Sequence, residues 1–163
     1  MLLATSKGFY FWNKTYKNLV KWDNAIYTSV MNHVGKTLLA SKADNQTKIH
    51  EYDSENRRLT PLTSLPISQN SHFVSDFQKD STWMIYSSEK LYQYDLSHHK
   101  LTPVFSTEDR INHVFFDAET DIFWISTQKG LIKLVFDKEI ISTVSLPDEK
   151  PGPVTSIIED GDN

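Results

Sequence analysis

The chain has 163 residues, a formal net charge of -4, 39% hydrophobic and 23% charged residues; that is enough for a substantial core and too apolar for a disordered chain. No Lys/Arg cluster stands out, which argues against nucleic acid as a partner. No apolar run approaches the ~20 residues of a membrane-spanning helix, and with no cysteine disulfides, thiolate metal sites and cysteine nucleophiles are excluded.

The first residues, MLLATSKGFYFWN, lack the basic stretch and long apolar core of a secretory leader. They read as two short strands, 2–6 and 9–12, around a turn in which Gly8 takes a positive φ. Further on, AIYTSV (25–30), TLLAS (37–41) and KIHEY (48–52) are predicted strands, with SKADNQTK (41–48) as a lengthened turn. HFVSDF (72–77), WMIYS (83–87) and KLYQY (90–94) follow in the same order. INHVFF (111–116), FWIS (123–126) and LIKLVF (131–136) come next, with Gly130 at the positive-φ place of the last turn, and then VTSII (154–158). Period-two alternation, β-branched and aromatic residues, and turns of Asp, Asn, Ser and Gly all argue for strands.

These runs form a repeat. KIHEYDSENRRLTPL (48–62) matches KLYQYDLSHHKLTPV (90–104) without a gap, 42 residues apart. Phe136-Asp137 lies a further 42 residues beyond Tyr94-Asp95, and Trp12-Asn13 stands 40 before Tyr52-Asp53. Each copy holds four short antiparallel strands, and a period of about 40–50 residues with four strands marks a β-propeller blade. The fold predicted is all-β: residues 1–163 as a partial propeller of about three to four blades. Its fragments fall at about 1–23, 24–66, 70–106, 110–147 and 152–163. Trp83 and Trp124 are predicted to be equivalent residues, both buried between sheets. A chain opening one strand into a blade and closing one strand into another would expose sheet faces. Pairing with other blades of a longer protein, or of two chains as a homodimer, is then expected.

FWISTQKGLIKLVFD (123–137) and SIIEDGDN (156–163) resemble the two-component regulator propeller repeat. Trp124, Ile125, Thr127, Gly130, Leu131 and Asp137 match that pattern in one copy. Asp160 and Asn163 match its turn in the next, and Asp117 takes the place of Asp160 one repeat earlier. The other copies depart from it: Tyr86 replaces the Thr, and Ser88 or Glu89 stands where the Gly belongs. The resemblance implies the periplasmic sensor region of a membrane-spanning hybrid histidine kinase of the Bacteroidetes type, responding to oligosaccharides from complex glycans. Any kinase activity would lie outside this segment.

Chemistry is sparse in the residues themselves. The six histidines show no metal-ligand spacing, and His98-His99 reads as a solvated turn. Glu108-Asp109 is a carboxylate pair in a loop rather than a glycosidase dyad. No catalytic residue, metal site or cofactor is expected. In a blade, the loops joining second to third strands share one end with the connectors to the next blade. Here the loops are 5–8, 42–48, 87–90 and 127–130, and the connectors are 64–70, 106–111 and 146–153. An oligosaccharide needs planar hydrogen-bonding groups at that end, which makes Lys42, Asp44, Asn45, Arg110 and Lys129 the candidate ligand-binding residues. The competing class is a propeller enzyme, a lyase or glycan hydrolase, with its active residues in other blades.

Overall fold

The computed structural model describes residues 2–5, 8–13, 17–23, 25–33, 35–56, 58–67, 69–74, 77, 81–135, 140–144 and 153–154. Among these, every regular element is a β-strand, and the chain divides into two compact units, residues 1–80 and 81–163. The first unit opens with β1 (Leu2–Thr5), β2 (Gly8–Asn13) and β3 (Asn18–Asp23), an antiparallel sheet in chain order. A four-stranded antiparallel sheet follows: β4 (Tyr27–His33), β5 (Lys36–Ala43), β6 (Gln46–Asp53) and β7 (Arg58–Leu65). The short β8 (His72–Phe73) comes last.

The second unit holds β9 (Thr82–Tyr86), β10 (Lys90–Asp95) and β11 (Lys100–Ser106), three antiparallel strands of one sheet. Its other sheet is a four-stranded meander of β12 (Ile111–Asp117), β13 (Ile122–Thr127), β14 (Leu131–Val135) and β15 (Ile140–Val144). The all-β, four-stranded antiparallel reading of the repeat therefore holds. The predicted strand 72–77 is shorter than expected: it covers only His72–Phe73, although Val74 and Phe77 are buried beyond it.

The aromatic–Asp ending has a local cause. Tyr52 and Tyr94 are buried at the ends of β6 and β10, Phe116 is buried likewise at the end of β12, and the following aspartates close the turns; Phe136-Asp137 lies outside the described residues. Asp53 Oδ1 accepts from the amides of Glu55 and Asn56, Asp95 Oδ1 from Ser97 and His98, and Asp117 Oδ1 from Glu119 and Thr120. Each is an Asx turn, in which a carboxylate replaces a backbone acceptor. The repeated Leu-Thr-Pro has a cause too. The ladder slips between Ile49 and His50 opposite Pro61, and between Leu91 and Tyr92 opposite Pro103. A bulge on an outer strand is where a residue without an N–H fits.

Two expectations need correction. The stretch 41–48 is not a long turn: β5 and β6 run on to an Ala43–Gln46 pair, leaving Asp44 and Asn45 at φ 48° and 58°. Two successive left-handed residues make a type I′ hairpin, whose twist suits the strands it joins. The extra residues lengthen the strands. Trp83 is buried, 4% exposed, with its ring 5.5 Å from Tyr94, but Trp124 is only half-buried. Trp83 pairs with Tyr94 as Phe123 pairs with Leu134, three residues along each third strand from Leu91 and Leu131. The true counterpart of Trp83 is thus Phe123, which is fully buried and lies 4.7 Å from Phe116. A one-residue slip moves a side chain to the opposite face of a sheet. As for the glycines, Gly130 takes φ 145° at its turn. Gly8 begins β2, paired with Thr5, and the two turn residues between them lie outside the described residues.

Candidate functional site

In the second unit, three loops meet at one end of the sheets. The Ile111 amide donates to Ser88 O at 2.7 Å, Thr107 N to Glu89 O at 2.9 Å, and Gln128 N to Arg110 O at 3.2 Å. The 87–90 and 127–130 hairpins and the 106–111 connector therefore share an end, as the blade reading requires. The 127–130 turn is held by Thr127 N to Gly130 O at 2.8 Å, and by Lys129 N to Thr127 Oγ1 at 3.2 Å. Lys129 Nζ lies 2.6 Å from Asp109 Oδ1 across the two loops. Its hydrogen bond to Asp109, and then the charge of that carboxylate, push the Lys129 ammonium above its ordinary value. Arg110 is exposed beside the pair. Arg110 and Lys129 are thus brought together, and the Asp109 partner was not apparent from the sequence.

In the first unit, Lys42, Asp44 and Asn45 are exposed around the β5–β6 hairpin. Lys42 stands within β5, its amide donating to Ile26 O at 3.1 Å. Buried Thr47, at the same end, donates to Ile67 O (3.2 Å) and meets Ser71 Oγ (2.6 Å), so this hairpin and the 65–71 connector also share an end.

Both sets offer hydrogen-bond donors and acceptors to a polar ligand. Glu108 is exposed, and Asp109 is engaged by Lys129. The His98 ring is 2.9 Å from Asp95 Oδ2, and His99 Nδ1 is 3.1 Å from the Tyr94 hydroxyl. Among the described residues, no three His, Asp or Glu side chains gather to hold a metal ion, and no helix is long and apolar enough to cross a membrane. Tyr86, its ring edge-on to His113 at 6.4 Å, has its hydroxyl pushed up to about 12 by burial.

No family model matches the chain. No curated protein sequence matches it either. Solved structures do. One is the extracellular domain assigned to a hybrid two-component system of B. thetaiotaomicron, with TM-score 0.67 and 16% identity, covering 94% of this chain and 22% of that one. Another is the extracellular domain assigned to a one-component system of the same organism, with TM-score 0.64 and 18% identity, covering 98% and 23%. At that identity the likeness is one of fold. The chain spans less than a quarter of the length of these structures.

Proposed function

We propose that this chain is part of the extracytoplasmic, periplasmic sensor of a two-component signalling protein, and that it binds a glycan-derived oligosaccharide without turning it over. The observation that carries the reading is the fold likeness, over 94% of the chain, to an extracellular domain assigned to a hybrid two-component system. The resemblance of FWISTQKGLIKLVFD to two-component regulator propeller repeats points the same way. Exposed Lys42, Asp44 and Asn45 in the first unit, and exposed Arg110 and Lys129 in the second, are in keeping with it as hydrogen-bonding groups for a sugar.

Calorimetry of the chain against a panel of oligosaccharides tests the proposal. Binding is expected for at least one member, with no new sugar product on prolonged incubation. Arg110→Ala or Lys129→Ala, or else Lys42→Ala or Asn45→Ala, should weaken it about tenfold, equivalent to ~1.4 kcal/mol. Absence of binding across the panel overturns the ligand assignment, and sustained hydrolysis or elimination overturns the sensor reading.

A further inference from the structure

The first strands of two four-stranded sheets, β4–β7 and β12–β15, carry a bulge at the same place. The β4–β5 register slips between Tyr27 and Ser29, and the β12–β13 register between Ile111 and His113. The surplus residue is Thr28 in one sheet and Asn112 in the other. A bulge leaves its extra residue unpaired and re-aims the side chain. Both side chains do the same thing with that freedom, although they differ chemically. Thr28 Oγ1 donates to Ser71 O, and Asn112 Nδ2 donates to Val154 O at 2.8 Å. Each acceptor ends the connector after the last strand of the same sheet, one position past the 64–70 and 146–153 ranges, 43 and 42 residues further along the chain.

The opposite side of the connector is held from the end of the second or third strand. In the first unit the Thr47 hydroxyl donates to Ile67 O, so the Ser71 hydroxyl must be the donor in their 2.6 Å bond. Ser29, just after the bulge, accepts from the Phe73 amide at 3.1 Å. In the second unit the Val154 amide donates to Thr127 O at 3.1 Å. These first-unit bonds each involve a side chain, and in the second unit one side-chain and one backbone bond hold Val154, none of them a ladder bond within its sheet.

We propose that Thr28 and Asn112 are latches: each of these two sheets uses the bulge residue of its first strand to capture the connector leaving its last. Side-chain bonds can open without unpairing any strand, so the latch lets a connector detach while its sheet stays intact. This gives the connectors a local opening of lower free energy than sheet unfolding. It also ties each connector to the hairpin at the same end, 42–47 in the first unit and 127–130 in the second.

Amide hydrogen exchange on the whole chain tests it, with two near-isosteric substitutions that remove the donor, the second also setting a carboxylate against the Val154 carbonyl. Thr28→Val should speed exchange of the Phe73 amide about tenfold or more, and Asn112→Asp should do so at Val154, while Leu39 and Ile125 stay as protected as before. Thr28→Ser, which keeps the hydroxyl, should exchange like the parent. Unchanged exchange at Phe73 and Val154 overturns the proposal. So does a loss of protection that spreads through the sheets, because the connector would then not be a separable element. Should Thr28→Val fail to fold, Asn112→Asp decides the question in the second unit.

Discussion

The Phe123 ring is fully buried against Phe116, while the next residue, Trp124, lies half-buried with the Lys133 ammonium 5.8 Å from its ring centre. Removing a buried ring loses its transfer free energy and leaves a cavity, so Phe123→Ala should cost ~3–5 kcal/mol. Trp124→Ala, at a partly solvated site, should cost about 1 kcal/mol. Urea midpoints of the two variants check this, and equal losses would refute the face assignment. The sequence invited the opposite view. Trp83 and Trp124 stand 41 apart inside a 42-residue repeat, yet the hairpins align them at 40, and side-chain direction depends on the odd residue. A second residue-scale prediction concerns Asp95, which is held down to about 2, first by the His98 side chain and then by the His98 amide, with the Ser97 amide adding to it. Because its folded value lies below the ordinary 3.8, its contribution is complete above about pH 3.8 and fades as pH falls through about 2. In a carboxyl NMR titration, His98→Ala should raise the Asp95 value while leaving it below 3.8, since the amide bonds remain. No change would show that the ring contact is not maintained in solution.

At the scale of elements, strand existence was readable and strand ends were not. Alternation and the repeat locate the inner strands but set no bounds on the outer β3, β7, β11 and β15, and the polar neighbours Lys42, Gln46 and Thr47 make the Asp44-Asn45 turn look like part of a loop. In the fold they are paired, Lys42 with Thr47 and Ala43 with Gln46. The type I′ geometry asks Asn45 for φ 58°, a conformation Asn tolerates and Ala does not, at roughly 1–2 kcal/mol per residue. Asn45→Ala should therefore lower stability by about 1 kcal/mol, whereas Asn45→Gly should leave it within a few tenths. Thermal unfolding of both variants checks the turn, and any loss of ligand binding by Asn45→Ala has to be read against its stability. Thr47 was out of reach of sequence reasoning, since its partner Ser71 lies 24 residues away and nothing local marks the pair. Thr47→Val would strand the buried Ser71 hydroxyl and the Ile67 carbonyl, at ~1–3 kcal/mol.

For the molecule as a whole, the repeat made the architecture legible while leaving the candidate site nearly silent. Four strands per 42 residues is a statement about hydrophobic periodicity, which composition and order encode directly. The loop residues Lys42, Arg110 and Lys129 carry no such code: only the fold brings Asp109 to Lys129 and Gln128 to Arg110. The same architecture predicts an uneven distribution of stability. β5 is paired on both edges and buried at Leu38, Leu39, Ala40 and Ser41. β13 is likewise paired on both edges and buried at Phe123, Ile125, Ser126 and Thr127. β7 and β11 carry several exposed residues each, and each has a bulge next to its own proline, Pro61 or Pro103. Opening an amide in β5 or β13 requires breaking ladder bonds on two sides and wetting a strand whose centre is buried. Opening one in β7 or β11 wets a strand already half solvated. Amide exchange should accordingly be slowest in β5 and β13, governed there by global unfolding, and at least about tenfold faster in β7 and β11. Strand-by-strand exchange measured by NMR decides it. Equal protection across inner and outer strands would mean that each sheet opens only as a whole, and that burial does not grade stability within a blade.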